Sequence, residues 1–155
     1  MVEITRNSPV SFQADPVKTE VRNGWTVALE YSDEESGPYL IDISHKTRWD
    51  LQAGNLTGVT PFGVAVPDNP GACTFKDSVM INRMNRSQAA VWYLGKEMPE
   101  LPVEAAYTDV TESTVFLALF GPHTFSIAEK LSALDFLNPQ LKPPFLLHRY
   151  FQSYQ

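Results

Sequence analysis

The sequence predicts an α+β fold: an antiparallel sheet built from pseudo-repeated strand-turn-strand units, with few helices. Three observations predict it. First, Asp42-Ile43-Ser44 and Asp109-Val110-Thr111 stand 67 residues apart, and the tenth residue after each is a glycine, Gly54 or Gly121. The residues between are strand-forming in both copies, and the same offset lays Trp25 over Trp92. Self-similarity at a fixed offset is the mark of a repeated structural unit. Second, several segments alternate apolar and polar residues with the period of a half-buried strand. Third, helical spacing is convincing in one segment alone, after Gly121-Pro122.

Residues 1–23 are polar without clear periodicity and read as an N-terminal arm suited to contacting a neighbour. From Trp25 the pattern alternates strictly, with Trp25, Val27, Leu29 and Tyr31 on one face of a strand. Residues 32–38 are a turn by composition. Residues 39–44 and 47–52 form a strand pair or one long bent strand. Residues 53–72 hold Pro61, Pro67 and Pro70 and four glycines, which excludes a regular helix because proline lacks a donor and clashes with the preceding turn. So long a loop is expected to make contacts or carry function. Residues 75–84 read as one strand, with Phe75, Asp77, Val79 and Ile81 on one face. A turn at Asn85-Arg86-Ser87 closes a hairpin with residues 89–94. Residues 97–102 are a linker, and 103–110 and 113–120 are further strands. The helix opens at Gly121-Pro122, with proline at its first position. Phe125, Ile127, Ala128, Leu131 and Leu134 form its apolar stripe. A proline-punctuated loop over 135–144 leads to a last strand at 145–154.

Composition bounds the function classes. At 155 residues, 43% apolar and 19% charged, the chain matches one ordinary globular domain. A net charge of −6 without a basic run argues against a nucleic-acid partner, whose phosphates call for Lys and Arg. No apolar stretch approaches the length of a membrane span, so no membrane partner is expected. The start carries no apolar signal core, and the cytoplasm is the expected compartment. The Asn55 and Asn85 sequons are then without consequence. Cys73 is the single cysteine and has no local histidine to act as its base, so it reads as a small packed side chain.

No strong site motif is present. His45, His123 and His148 fall on different elements, so no metal site is expected. Asp42, Ser44 and His45 have the residue types of a hydrolase, but on a strand His45 would point away from the other two. Asp42 and Asp109 read as caps of the turns that follow them, with help from Ser44 and Thr111. Three residues are candidates for ligand work. Asp77, expected on the apolar side of its strand, is the candidate catalytic and cofactor-binding carboxylate, because burial would raise its pKa. Trp92 and Tyr93 are candidate cofactor-binding rings, able to stack on a flat ligand. Trp49 reads as a core or interface residue.

Residues 39–52, with their Asp42-Ile43-Ser44-His45 core, resemble a segment of the folate-dependent aminomethyltransferases, the superfamily of the glycine cleavage T-protein. Thr108 to Thr111 and Leu117 to Pro122, running on to Leu131, resemble its second segment, where a strand ends in Gly-Pro and a helix follows. The sarcosine oxidase γ subunit branch is the most similar, and there a tryptophan often follows the His-Lys/Arg stretch, as Trp49 does. The resemblance covers about residues 38–150. It implies a folate-binding-domain-like antiparallel α+β fold with an internal pseudo-repeat, as one domain over 24–155. It also implies a carboxylate at the folate site near Asp77. There the transferases usually carry two acidic residues, and Ser78 holds the second place. The helix expected after Gly54 is replaced by the proline-rich loop, and the transferases' barrel domain is expected to be missing.

These departures imply a small non-catalytic scaffold subunit of a heteromeric sarcosine oxidase or N-methyl amino acid dehydrogenase-type complex. Its partners would be larger flavoprotein subunits that hold flavin and folate, and this chain would bind no cofactor. The alternative is a stand-alone tetrahydrofolate-binding module or minimal aminomethyltransferase using Asp77. A third reading is an assembly or regulatory protein that kept the fold and lost the ligand. The first half, lacking its helix, is expected to leave a sheet face for a partner to cover.

Overall fold

The computed structural model describes residues 5–97, 99–100, 106–132 and 134–140. Three sheets and one α-helix make up its regular structure: β1 (Arg6–Asn7), β2 (Pro16–Arg22), β3 (Trp25–Tyr31), β4 (Tyr39–Asp42), β5 (Arg48–Gln52), β6 (Cys73–Lys76), β7 (Val79–Arg83), β8 (Gln88–Tyr93), β9 (Ala106–Asp109), β10 (Leu117–Phe120) and α1 (Thr124–Leu131). The sheet-rich α+β class expected from the alternation is what the chain adopts. The expected strand at 145–154 lies outside the described residues.

The largest sheet runs β6-β7-β8-β5-β9 and is antiparallel throughout. Its inner face follows directly from the period of two. Trp49 and Leu51 of β5 stand opposite Val91 and Ala89 of β8, and Ile81 of β7 also faces Val91. All are buried. The proline-rich loop over 53–72 lies on this face and contributes Leu56, Pro61, Val64 and Val66 to the core. Leu56 is fully enclosed, which is worth about 2–3 kcal/mol of transfer energy. Phe62, in a short 3₁₀ turn at Pro61–Gly63, rests against Trp49 at 5.2 Å between ring centroids. Proline excludes a helix here, as expected, yet the loop does the packing a helix would do. The first half therefore covers its own sheet, contrary to the expectation that a partner must.

Arg83 ties this loop down. Its buried guanidinium donates to the carbonyls of Pro67 (3.0 Å), Asn85 (3.2 Å) and Arg86 (2.9 Å). The β7–β8 turn forms as expected, with Asn85 Oδ1 accepting the Ser87 N–H at 2.9 Å. Residues 75–84 are not one strand, however. They split into β6 and β7 at a two-residue turn, Asp77-Ser78, where both φ angles are positive. Aspartate tolerates the left-handed region, so the turn is chemically reasonable.

The N-terminal region also departs from expectation. Residues 16–22, expected within an arm, form β2 and pair antiparallel with β3 across the turn Asn23-Gly24. Both turn residues have positive φ (51° and 76°), as a type I′ hairpin requires. β1 joins β3 in parallel. The strand of Trp25 thus sits in a three-stranded sheet while that of Trp92 is central in the five-stranded one. The repeat does not extend to these tryptophans.

Residues 39–44 and 47–52 are not a strand pair either. β4 pairs with β10, while β5 pairs with β8 and β9. The helix starts two residues later than expected: His123, with φ of 63°, is its N-cap, and Pro122 precedes the cap. None of its residues is buried, so the apolar stripe does not reach the core. Gly121 is needed where it stands, because its φ is 105° and a Cβ would come within 3.2 Å of the Pro38 backbone. Its counterpart Gly54 has open space and no such constraint.

Candidate functional site

Asp42 and Asp109 do what their sequence context predicts. Asp42 Oδ1 accepts the Ser44 N–H at 2.9 Å, and Asp109 Oδ1 accepts the Thr111 N–H at 2.8 Å. The turns close alike, from Lys46 N–H to the Ile43 carbonyl (2.8 Å) and from Ser113 N–H to the Val110 carbonyl (3.1 Å). The two hydroxyls then cross over. Ser44 Oγ accepts the Phe116 N–H at 2.9 Å, and Thr111 Oγ1 accepts the Arg48 N–H at 3.0 Å. Two backbone bonds repeat the exchange, Ile43 N–H to the Phe116 carbonyl and Val110 N–H to the Arg48 carbonyl, each 2.9 Å. Each unit thus clamps the strand entering from the other. β4–β10 and β9–β5 are equivalent antiparallel pairs, with Asp42 opposite Leu117 and Asp109 opposite Trp49. The doubled motif is a pseudo-twofold crossing.

Arg48 reinforces one side of the crossing. Its buried guanidinium donates to the carbonyls of Thr111 and Thr114 and, at 3.0 Å, to Thr114 Oγ1. It also lies 5.0 Å from the centre of the Phe116 ring. Burial lowers its pKa, while Asp109 and Asp42 oppose the shift. These bonds give Ser44 and Thr111 structural roles.

The structure does not gather the sequence candidates into one site. Asp77 is an exposed turn residue whose side chain is 78% accessible, 3.9 Å from Lys76 Nζ. The buried carboxylate expected on an apolar strand face is therefore not formed, because the strand ends where it was expected to continue. Trp92 and Tyr93 are consecutive and point to opposite faces of β8. Trp92 packs edge-on to Phe116 at 4.8 Å, and Tyr93 packs on Phe62 at 6.1 Å. Cys73 is half-buried, and burial raises its pKa, which suits an inert thiol. His148 lies outside the described residues, and no group of three metal-ligating side chains occurs among those described.

The cavity that does contain chemistry lies between β3 and β4. It has a volume of about 480 Å³ and is walled by Phe12, Trp25, Tyr31 and Tyr39, with Asp42, Ser44 and His45 at the end of β4. His45 does not point away from Asp42 and Ser44, because residues 43–46 form a turn where strand alternation lapses. It is 7% exposed, and its Nε2 has no hydrogen-bond partner among the described residues. Burial pushes its pKa down to about 4, Lys46 and Arg22 push the same way, and Asp42 opposes them. The imidazole is therefore neutral at pH 7. Tyr31 has a raised pKa, chiefly from burial and then from Asp42 and Glu34. Half of this cleft comes from the N-terminal sheet, and Asn23-Gly24 was the sequence signal that could have revealed it. Comparison with known proteins found no family model, no curated protein and no solved structure that matches this chain.

Proposed function

We propose that this chain is a small non-catalytic subunit of a heteromeric, flavin- and folate-dependent amine-oxidising enzyme of the sarcosine oxidase or N-methyl amino acid dehydrogenase type. The flavin, the folate and the larger flavoprotein partners come from the sequence resemblance. The subunit role is supported by one observation: the described residues leave the second half of the crossing uncovered. β4 and β10 form a two-stranded ribbon carrying exposed Leu40, Ile41, Leu117 and Phe120. The adjoining helix exposes Phe125 at 44% and Leu131 at 78%. An isolated two-stranded ribbon is marginal in water, and this one leaves apolar side chains open on both faces, Leu40 and Leu117 on one and Ile41 and Phe120 on the other, which fits a partner that packs around it. No helix among the described residues is long and apolar enough to cross a membrane, so a lipid-spanning role gives no rival account of the helix.

The test is purification of the tagged full chain from its native cells. Co-elution with a flavin-containing partner is expected, and Phe120→Glu and Leu131→Glu should release that partner without lowering the chain's own melting temperature. Elution of the wild-type chain free of any flavoprotein would sink the reading. The alternative of a folate module using Asp77 gains less support, since Asp77 sits on an exposed turn with its side chain 78% accessible.

A further inference from the structure

We infer that the cleft between β3 and β4 is a binding site for a small organic cation with an apolar substituent, such as an aryl- or alkylammonium ion. The inference does not depend on the assembly reading above, because every residue it uses lies in this chain.

Charge points first. The only formally charged residues among those described as lining the cleft are Glu34 and Asp42, both acidic. Each has one oxygen engaged internally: Asp42 Oδ1 holds the Ser44 N–H, and Glu34 Oε1 holds the Tyr31 N–H at 3.3 Å. The second oxygen of each remains an acceptor. The nearby cations are turned to other tasks: Arg22 pairs with Glu20 at 2.7 Å, and Lys46 Nζ donates to the Gly95 carbonyl at 2.7 Å. Neither lines the cleft, so an anionic ligand would meet two carboxylates with no cation among the described lining residues to offset them.

Shape and polarity agree. Phe12, Trp25, Tyr31 and Tyr39 supply ring faces and apolar walls, and Phe12 already braces Tyr31 edge-on at 5.5 Å. Rings beside carboxylates are the arrangement that holds ammonium ions. The volume lies in the range of small-molecule pockets. His45 is the independent sign of a ligand. A buried polar atom without a partner is uncommon and costly, and Nε2 is such an atom on a residue that lines the cleft. That atom is closed off in the unliganded fold, so the imidazole must turn toward the cleft before an ammonium N–H can satisfy its lone pair, and the His45 ring signal reports that turn.

The experiment is nuclear magnetic resonance titration of the full chain, following the Trp25 indole and His45 ring signals. Three probes of matched size are compared: benzylammonium, benzyl alcohol and benzoate. Benzylammonium is expected to shift both signals saturably and to bind about 10-fold more tightly than benzyl alcohol, with benzoate weakest, a ratio equivalent to one charge-assisted contact. Asp42→Asn, which keeps an oxygen for the Ser44 N–H, and Glu34→Gln are each expected to weaken benzylammonium by about 5- to 10-fold. They should leave benzyl alcohol unchanged. Equal binding of all three probes, tighter binding of benzoate, or no saturable shift with benzylammonium would overturn the proposal. So would unchanged affinity in a folded Glu34→Gln variant, which decides the matter even if Asp42→Asn fails to fold.

Discussion

Removal of the Thr111 hydroxyl tests the reciprocal crossing most directly. In Thr111→Val the Arg48 N–H, on a residue 5% exposed, loses its acceptor at 3.0 Å. A buried backbone donor left unpaired costs about 1–3 kcal/mol. Ser44→Ala orphans the Phe116 N–H in the same way, but Phe116 is half-buried and water can reach part of it. The expected loss there is at the lower end, about 1–2 kcal/mol. Urea unfolding should report both as lower midpoints at unchanged slope. For a chain of this size, Thr111→Val should melt roughly 2–12 °C lower. The two hydroxyls hold one crossing from opposite sides, so the double variant should depart from additivity by at least about 0.5 kcal/mol. Thr111→Ser retains the acceptor and should recover most of the loss. If Thr111→Ser is as damaging as Thr111→Val, methyl packing and not the hydroxyl holds the joint, and the reasoning is refuted.

Three further outcomes are expected. The pKa of His45 is about 4 in the fold against about 6.5 in an unfolded chain. As pH falls from about 6.5 toward 4, the unfolded state gains a proton that the native state does not, and stability declines across that window and levels below it. Screening reduces the limiting value of about 3 kcal/mol to an expected loss of about 1–2 kcal/mol. His45→Gln should flatten this part of a stability–pH profile measured by urea unfolding; an unaltered profile would show that other groups set it. Arg83→Met leaves three carbonyls without their donor and should cost about 2–4 kcal/mol. Hydrogen exchange should rise first at the Gly71 and Ala72 amides, and uniform exchange would contradict a local tether. Asp77→Asn, on an exposed turn, should change stability by less than about 0.5 kcal/mol in thermal melts; calorimetric titration with tetrahydrofolate should not distinguish it from wild type, and a lost folate signal would restore Asp77 as a ligand residue.

What was legible in the sequence was local. Asp42 and Asp109 reach only two residues ahead to their Ser44 and Thr111 amides, so residue type and spacing suffice to predict the caps. Alternation located β3, the turn at Asn85-Arg86-Ser87 located β8, and the proline run excluded a helix over 53–72. The strand break at Asp77-Ser78 was missed because hydrophobic periodicity continued across a turn that aspartate and serine could accommodate. The hairpin at Asn23-Gly24 was missed although its turn chemistry was in plain sight, because β2 carries mainly polar, exposed residues and gives little apolar signal.

The sequence by itself determined the class of the fold, the two capped turns and the existence of a doubled unit. Only the tertiary structure decided what the doubling is for. The bonds that interlock the units span 63 and 72 residues, and no local pattern encodes which distant amide a hydroxyl will meet. The same is true of burial. Leu56 is enclosed because a loop folds over a sheet, whereas Leu131 in the amphipathic helix is left open. Hydrophobicity sets the preference for burial; chain topology settles which apolar face finds cover and which stays exposed.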